Sequence, residues 1–251
     1  MTRVERLPLK MLVLAAGLLV FSLAAAQPLP TGFKDTDALL AEATALNAEI
    51  LAPKNYASAS KSYATARKYA ESGRMDRSTK ELVKTNTYLR QAIEAAKIAE
   101  VTFTDTLKAR ERAITAEAAR FEPGLWSAAE DELVRAARKL EGGDLKGAKV
   151  SANRAGKAYT DTELAAIKTA IVGNARVLLA EADANPNKVE RNAPITLTQA
   201  RSLVAQAEAS LDANRYERQQ PKALAAEAEY QARHAMYLAG QVQMLQDRQM
   251  T

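Results

Sequence analysis

Ala52-Pro53-Lys54-Asn55-Tyr56 recurs as Glu122-Pro123-Gly124-Leu125-Trp126 and as Ala193-Pro194-Ile195-Thr196-Leu197. The prolines lie 70 and 71 residues apart. Three residues after each proline stands Tyr56, Trp126 or Leu197, and six after stands Ala59, Ala129 or Ala200. Ten after come Tyr63, Leu133 and Val204, and thirteen after come Ala66, Ala136 and Ala207. Seventeen after come Ala70, Leu140 and Leu211, and twenty after come Gly73, Gly143 and Asn214. Steps of three and four put one apolar stripe along one face of a helix. Proline suits the first helical turn, where its missing N–H is not needed. Glycine or asparagine suits a left-handed cap at the end. Each proline therefore opens a helix of about 18 residues, and Asp76 and Asp144 stand where they can cap the helix that follows.

The following helices are longer. From Asp76 to Arg120 there is no Gly or Pro, and Leu82, Leu89, Ile93, Ala96, Phe103, Leu107 and Ile114 fall at heptad-like steps. The matching stretch from Asp144 to Ala184 contains Gly147, Gly156 and Gly173, which weaken the case for an unbroken helix. The third begins near Tyr216 and runs to the end. A short helix cannot cover so long a neighbour, so each long helix is expected to be shared between two units. The passes then fall at 37–51, 54–72 and 76–98; 99–120, 124–141 and 144–167; 168–184, 194–213 and 216–240. The expected fold is all-α: an elongated array of about three antiparallel helical bundles, joined by long helices, from an internal repeat of about 70 residues. The repeats span 37–98, 99–167 and 168–251. A tetratricopeptide-like superhelix fits less well, because its period is near 34 and its helices are of similar length. Residues 185–193 read as a loop, and 27–36 as a disordered lead.

Composition agrees with helices. Of 251 residues, 53 are alanine, with 10 Gly, 8 Pro and few aromatics. There is no cysteine, which excludes a disulfide scaffold, a thiolate metal site and a thiol nucleophile. One histidine cannot build a multi-imidazole site.

Residues 1–10 carry Arg3, Arg6 and Lys10, residues 11–23 are apolar or small, and Ala24-Ala25-Ala26 follows. A charged start, a short apolar core and an Ala-x-Ala end form a secretory signal pattern, with cleavage expected after Ala26. The apolar run is shorter than the roughly 20 residues a membrane span needs. The expected product is exported, without an integral span after signal removal. The formal net charge is +5, and the signal carries two of those charges. So balanced a chain does not point to nucleic acid.

Few residues suggest a site. His234 has no second imidazole to join it, so a structural role is the simpler reading. Trp126, near Phe121, could form an aromatic platform, but it occupies the stripe position of Tyr56 and Leu197 and so reads as core. Tyr88, Tyr159 and Tyr230 recur at intervals of 71 and could form a ladder of interacting hydroxyls. Glu130-Asp131-Glu132 lies among Arg135, Arg138 and Lys139 at helical spacing and reads as surface ion pairs. Gly142-Gly143-Asp144 lacks the pattern of a phosphate loop. No catalytic constellation, metal motif or cofactor site is expected.

Ala52, Pro53, Tyr56, Ala59, Ala66, Ala70 and Gly73, with weaker copies after Pro123 and Pro194, resemble the alanine-rich helical repeat domain of unknown function found in bacterial envelope proteins. That domain often stands ahead of an OmpA-like peptidoglycan-binding domain. The resemblance covers most of 37–240 and implies a periplasmic or outer-membrane-associated spacer or scaffold. A wall-binding domain would add over 100 residues, whereas this sequence stops at Gln249-Met250-Thr251: either that part is absent or this is the front portion of a longer product, and direct wall binding is not implied. The expected partner is an envelope protein or cell-wall component, and a homo-oligomer is compatible with the pattern. The alternative is a repeat-type binding module presenting a groove to a peptide, protein or glycan.

Overall fold

The structure, a computed structural model, describes residues 31–249. The signal-like segment lies outside them. Every regular element among the described residues is helical: α1 (Thr31–Ala45), α2 (Ala48–Leu51), α3 (Pro53–Glu71), α4 (Met75–Thr102), α5 (Thr104–Thr115), α6 (Ala118–Phe121), α7 (Pro123–Glu141), α8 (Leu145–Asp183), α9 (Val189–Asn192), α10 (Pro194–Ala213) and α11 (Gln219–Gln249). The all-α class expected from composition is the class observed.

The three prolines open α3, α7 and α10, which have 19, 19 and 20 residues. Gly73 and Gly143 then turn the chain with φ of 73° and 81°, a region glycine enters without a Cβ penalty. Asn214 departs from the expected left-handed cap and is extended, with φ −151°. Asp144 caps α8, its side chain accepting from the Gly147 N–H at 2.8 Å. Asp76 does not cap: Arg74 stands at the cap of α4, and Asp76 lies inside the first turn, where its charge still favours the helix N-terminus.

A second recurring device precedes each proline. Asn47, Glu117 and Lys188 are left-handed, with φ of 50°, 54° and 49°. Each starts one helical turn, α2, α6 or α9, and each turn ends at an Ala52, Glu122 or Ala193 with φ near −140°. Left-handed backbone costs a non-glycine residue about 1–2 kcal/mol. What it achieves is burial of Ala48, Ala118 and Val189, each no more than 1% exposed. The passes expected over 37–51 and 99–120 are thus each broken before their last turn, and the expected loop at 185–193 contains α9. Of the expected disordered lead, residues 31–36 are helical, within α1, and Phe33 is buried against Ala66 and Leu82; its remaining residues lie outside those described.

The long helices also differ from expectation. The Gly-free stretch 76–120 is not one helix. It breaks at Phe103 and again at Glu117. The stretch containing three glycines is unbroken as α8, 39 residues long. Along its length α8 changes partners. Ala148, Ala152, Ala155 and Tyr159 share a core with Ala109 and Ala113 of α5 and Ala129 and Leu133 of α7. Val172 and Ala175 pack with Val204 and Ala207 of α10 and Ala225 and Ala228 of α11. Further on, Leu178 packs with Ala200 and Ala232. Similarly, Leu82 near the start of α4 packs on Ala66 of α3, and Leu89 belongs to the larger core that includes Ala59. Alanine lines most of these seams, so helix backbones approach closely. Thr106 of α5 lies against Gly156 of α8 and donates to the Ala152 carbonyl at 2.9 Å.

Candidate functional site

The densest cluster of polar and aromatic side chains joins α5, α7 and α8. Arg110 leaves α5 and meets Glu130 of α7 with two bonds, Nε to Oε1 at 2.7 Å and Nη2 to Oε2 at 3.1 Å. Paired bonds of this kind are among the stronger polar contacts in proteins. Tyr159, on α8 and fully buried, donates its hydroxyl to the same Glu130 Oε1 at 2.7 Å. Trp126, half-buried on the first turns of α7, completes the cluster. The Arg110 guanidinium lies 5.4 Å from its ring centroid, and the Tyr159 ring lies 5.5 Å away at a tilt of 55°. Burial, then the hydrogen bond and charge of Glu130, push the Tyr159 hydroxyl well above the usual tyrosine range. Burial pulls the Arg110 guanidinium down, but its bond to Glu130 and the charge there outweigh that, and its net shift is upward. The cluster is therefore a neutral phenol, a carboxylate and a cation held in one network. Every polar group named is used to tie three helices together.

A second network ties α8 to the turn before α11. Glu163 is 2% exposed. Arg215 reaches it with Nη1 at 3.2 Å and also donates to the Thr160 carbonyl at 2.7 Å. Arg112 of α5 approaches the same Glu163 oxygen at 3.7 Å. A carboxylate this deeply buried needs such partners. A third contact caps α3 from a distance: the Glu141 carboxylate accepts from the Lys54 and Asn55 backbone N–H groups at 2.9 and 3.0 Å. An anion at a helix N-terminus satisfies donors that have no partner within the helix.

The three ladder tyrosines are not brought together. Buried positions of α4 and α8 match at a spacing of 70: Leu82 with Ala152, Thr85 with Ala155, Leu89 with Tyr159, Ile93 with Glu163 and Ala96 with Ala166. Tyr159 thus takes the place of Leu89, whereas Tyr88 stands one residue earlier and is half-buried. One residue is about 100° of helix rotation. Tyr230 is exposed on α11 and stacks with half-buried His234, ring centroids 5.7 Å apart.

The acidic run splits as well. Glu132 pairs with Arg135 on its own helix at 2.7 Å, as its spacing predicts, but Glu130 crosses to Arg110. Lys139 turns instead to Ser151 of α8 at 2.9 Å. Arg110, Glu130, Glu163, Arg215 and Glu141 carry the networks; no motif marks Arg110, Glu163, Arg215 or Glu141, and Glu130, expected in surface ion pairs along its own helix, crosses to Arg110 and Tyr159 instead. One sign was present: Glu163 puts a charge at the position that matches Ile93 at the 70-residue spacing.

Among the described residues no group of three or more His, Asp or Glu is placed to hold a metal ion. No helix among them is long and apolar enough to cross a membrane. A cleft of about 290 Å³ lies between the Asn47 turn and α5, lined by Leu46, Ile50, Leu107, Arg110, Glu111 and Ile114.

Fold and site together define an all-helical chain whose buried polar groups serve helix–helix attachment. Comparison with known protein families, curated proteins and solved structures gives no significant match.

Proposed function

We propose that the chain is a non-enzymatic, exported helical spacer or scaffold acting between components of the cell envelope. In this reading the described part is an elongated array of three bundles, each made from one copy of the 70-residue repeat. The observation that carries it is the recurrence of one backbone device at Asn47, Glu117 and Lys188, each leading through a single helical turn into a proline-led helix. The partner change along α8 supports the sharing of long helices between neighbouring bundles. Repeats that contact only their neighbours build length rather than a central pocket. The signal-like residues 1–26 support export, and the family resemblance supports the envelope. The partner is an envelope protein or cell-wall component.

Small-angle scattering tests the shape. A compact chain of this size has a radius of gyration near 17 Å, whereas a rod about 100 Å long, at 1.5 Å per helical residue, gives roughly 30 Å. The larger value is expected. The smaller value overturns the array and favours a folded-back binding module, with the cleft beside Asn47 as the first place to look for a ligand. Cell fractionation tests the location: recovery of the unprocessed chain in the cytoplasm overturns the export reading.

A further inference from the structure

The solvent face of α11 differs from the matching face of α4. Its buried residues are Pro221, Ala225, Ala228, Ala232, Ala235 and Ala239, in alternating steps of four and three. The middle of each four-residue gap points directly away from the core, and those positions hold Ala223, Tyr230 and Tyr237. One further step of seven reaches Met244. Tyr230, Tyr237 and Met244 are 58%, 63% and 47% exposed. The same construction on α4, from buried Ser78, Leu82, Thr85, Leu89, Ala92 and Ala96, gives Lys80, Thr87 and Glu94. Those three positions of α4 are polar, although the next step of seven reaches exposed Val101, whereas α11 carries an apolar line with a seven-residue period, the spacing of a helix–helix seam.

We propose that this face of α11 is a homodimerisation surface, pairing antiparallel with the same face of a second copy of the chain. The occupant follows from self-complementarity. With Tyr237 on the two-fold axis, Tyr230 meets Met244 of the second copy, a favourable sulfur–aromatic pairing. On the flank of the seam, Glu227 then stands beside Arg248 of the second copy, and His234 beside its Gln241. Each contact occurs twice, as an isologous interface requires. The pairing does not rest on the spacer reading: a chain of either shape can present this face.

The test uses the chain expressed from its full coding sequence and purified. Sedimentation equilibrium is expected to show a dimer, and Tyr237→Lys, which places two ammonium groups at the axis, is expected to weaken it at least about tenfold. Tyr216→Lys, at an exposed tyrosine before α11, is expected to leave the dimer unchanged. Because the chain has no cysteine, single introduced thiols report the register. Under mild oxidation Tyr237→Cys is expected to give a covalent dimer by itself. Tyr230→Cys is expected to crosslink with Met244→Cys in a mixture but not with itself. A monomer at about 100 μM, a dimer indifferent to Tyr237→Lys, or self-crosslinking of Tyr230→Cys each overturns the proposal. Circular dichroism of every variant separates loss of pairing from loss of fold.

Discussion

The chain makes two crossings from one set of helix partners to the next, and it makes them differently. At the first, α4 stops at Thr102, Phe103 adopts φ −109° and ψ 21°, and α5 resumes at Thr104. At the second, α8 runs through without a break. The residue 70 positions after Phe103 is Gly173, so the bulky residue stands at the break and the glycine inside the continuous helix. Propensity alone favours the opposite outcome. Phe103 is 1% exposed and belongs to the large core, so burying its ring outweighs local helical regularity. Thr102 and Thr104 assist, their hydroxyls donating to the Ile98 carbonyl at 2.7 Å and the Val101 carbonyl at 2.9 Å. Such back-bonding bends helices. Core positions nevertheless continue through the break from Ala96, Ala99 and Phe103 in steps of three and four. Core positions beyond it are Thr106, Ala109 and Ala113, so Leu107 is only partly buried and Ile114 is 49% exposed. The second crossing keeps its helix unbroken and is secured from outside by Arg215 and Arg112 on Glu163.

The largest expected effect falls on the first crossing. Phe103→Ala removes a buried ring and is expected to destabilise the chain by about 3–5 kcal/mol in urea unfolding. A loss below about 1 kcal/mol would mean that the break does not depend on the ring. At the second crossing, Arg215→Ala strips a partner from a buried carboxylate and is expected to cost about 3 kcal/mol. Glu163→Ile, which installs the residue type at the matching position of α4, is expected to be near neutral or stabilising. If both substitutions destabilise equally, the ion network supplies net stability rather than specificity.

Tyr159→Phe, in the cluster between the crossings, is expected to cost about 1.5 kcal/mol for a hydrogen bond to a charged group. It also carries a pH signature. The folded state holds the Tyr159 phenol protonated above its ordinary range, so above about pH 10 the unfolded chain binds fewer protons than the folded one. The contribution of Tyr159 is therefore present in full below that pH and is lost as pH rises beyond it. Alkaline unfolding followed by Trp126 fluorescence should be less steep in Tyr159→Phe. The smallest effect is a gain. A Cβ at Gly173 meets only the Thr169 methyl, at 3.7 Å. Gly173→Ala is expected to stabilise α8 by about 0.5–1 kcal/mol, and a loss would indicate that the second crossing needs backbone freedom there.

Much of the fold is legible in particular residues. Pro53, Pro123 and Pro194 mark helix starts because an amide N–H is dispensable there, and α3, α7 and α10 begin at them. Gly73 and Gly143 mark ends because a left-handed turn favours glycine. The left-handed Glu117 and Lys188 carry no such signal, since neither side chain favours that backbone; only the burial of Ala118 and Val189 accounts for them. The candidate cluster was half legible. Trp126 was expected in the core, and it is half-buried against that core, with both Arg110 and Tyr159 against its ring. The tyrosine ladder failed because equal sequence spacing is not equal helix phase: a match at 71 residues hid a packing register of 70.

The amino-acid sequence by itself determined the helical class, the three proline-led helices, the glycine turns before α4 and α8 and the apolar stripe that each proline-led helix buries. These follow from local stereochemistry and from periodicities of three and four, which act within a single helix. Tertiary structure alone decided where the long helices break, which residues accept left-handed backbone, and which charges are drawn inward to Glu130 and Glu163. Those outcomes depend on contacts between residues distant in sequence, where burying one ring or pairing one carboxylate outweighs the preference of any single position.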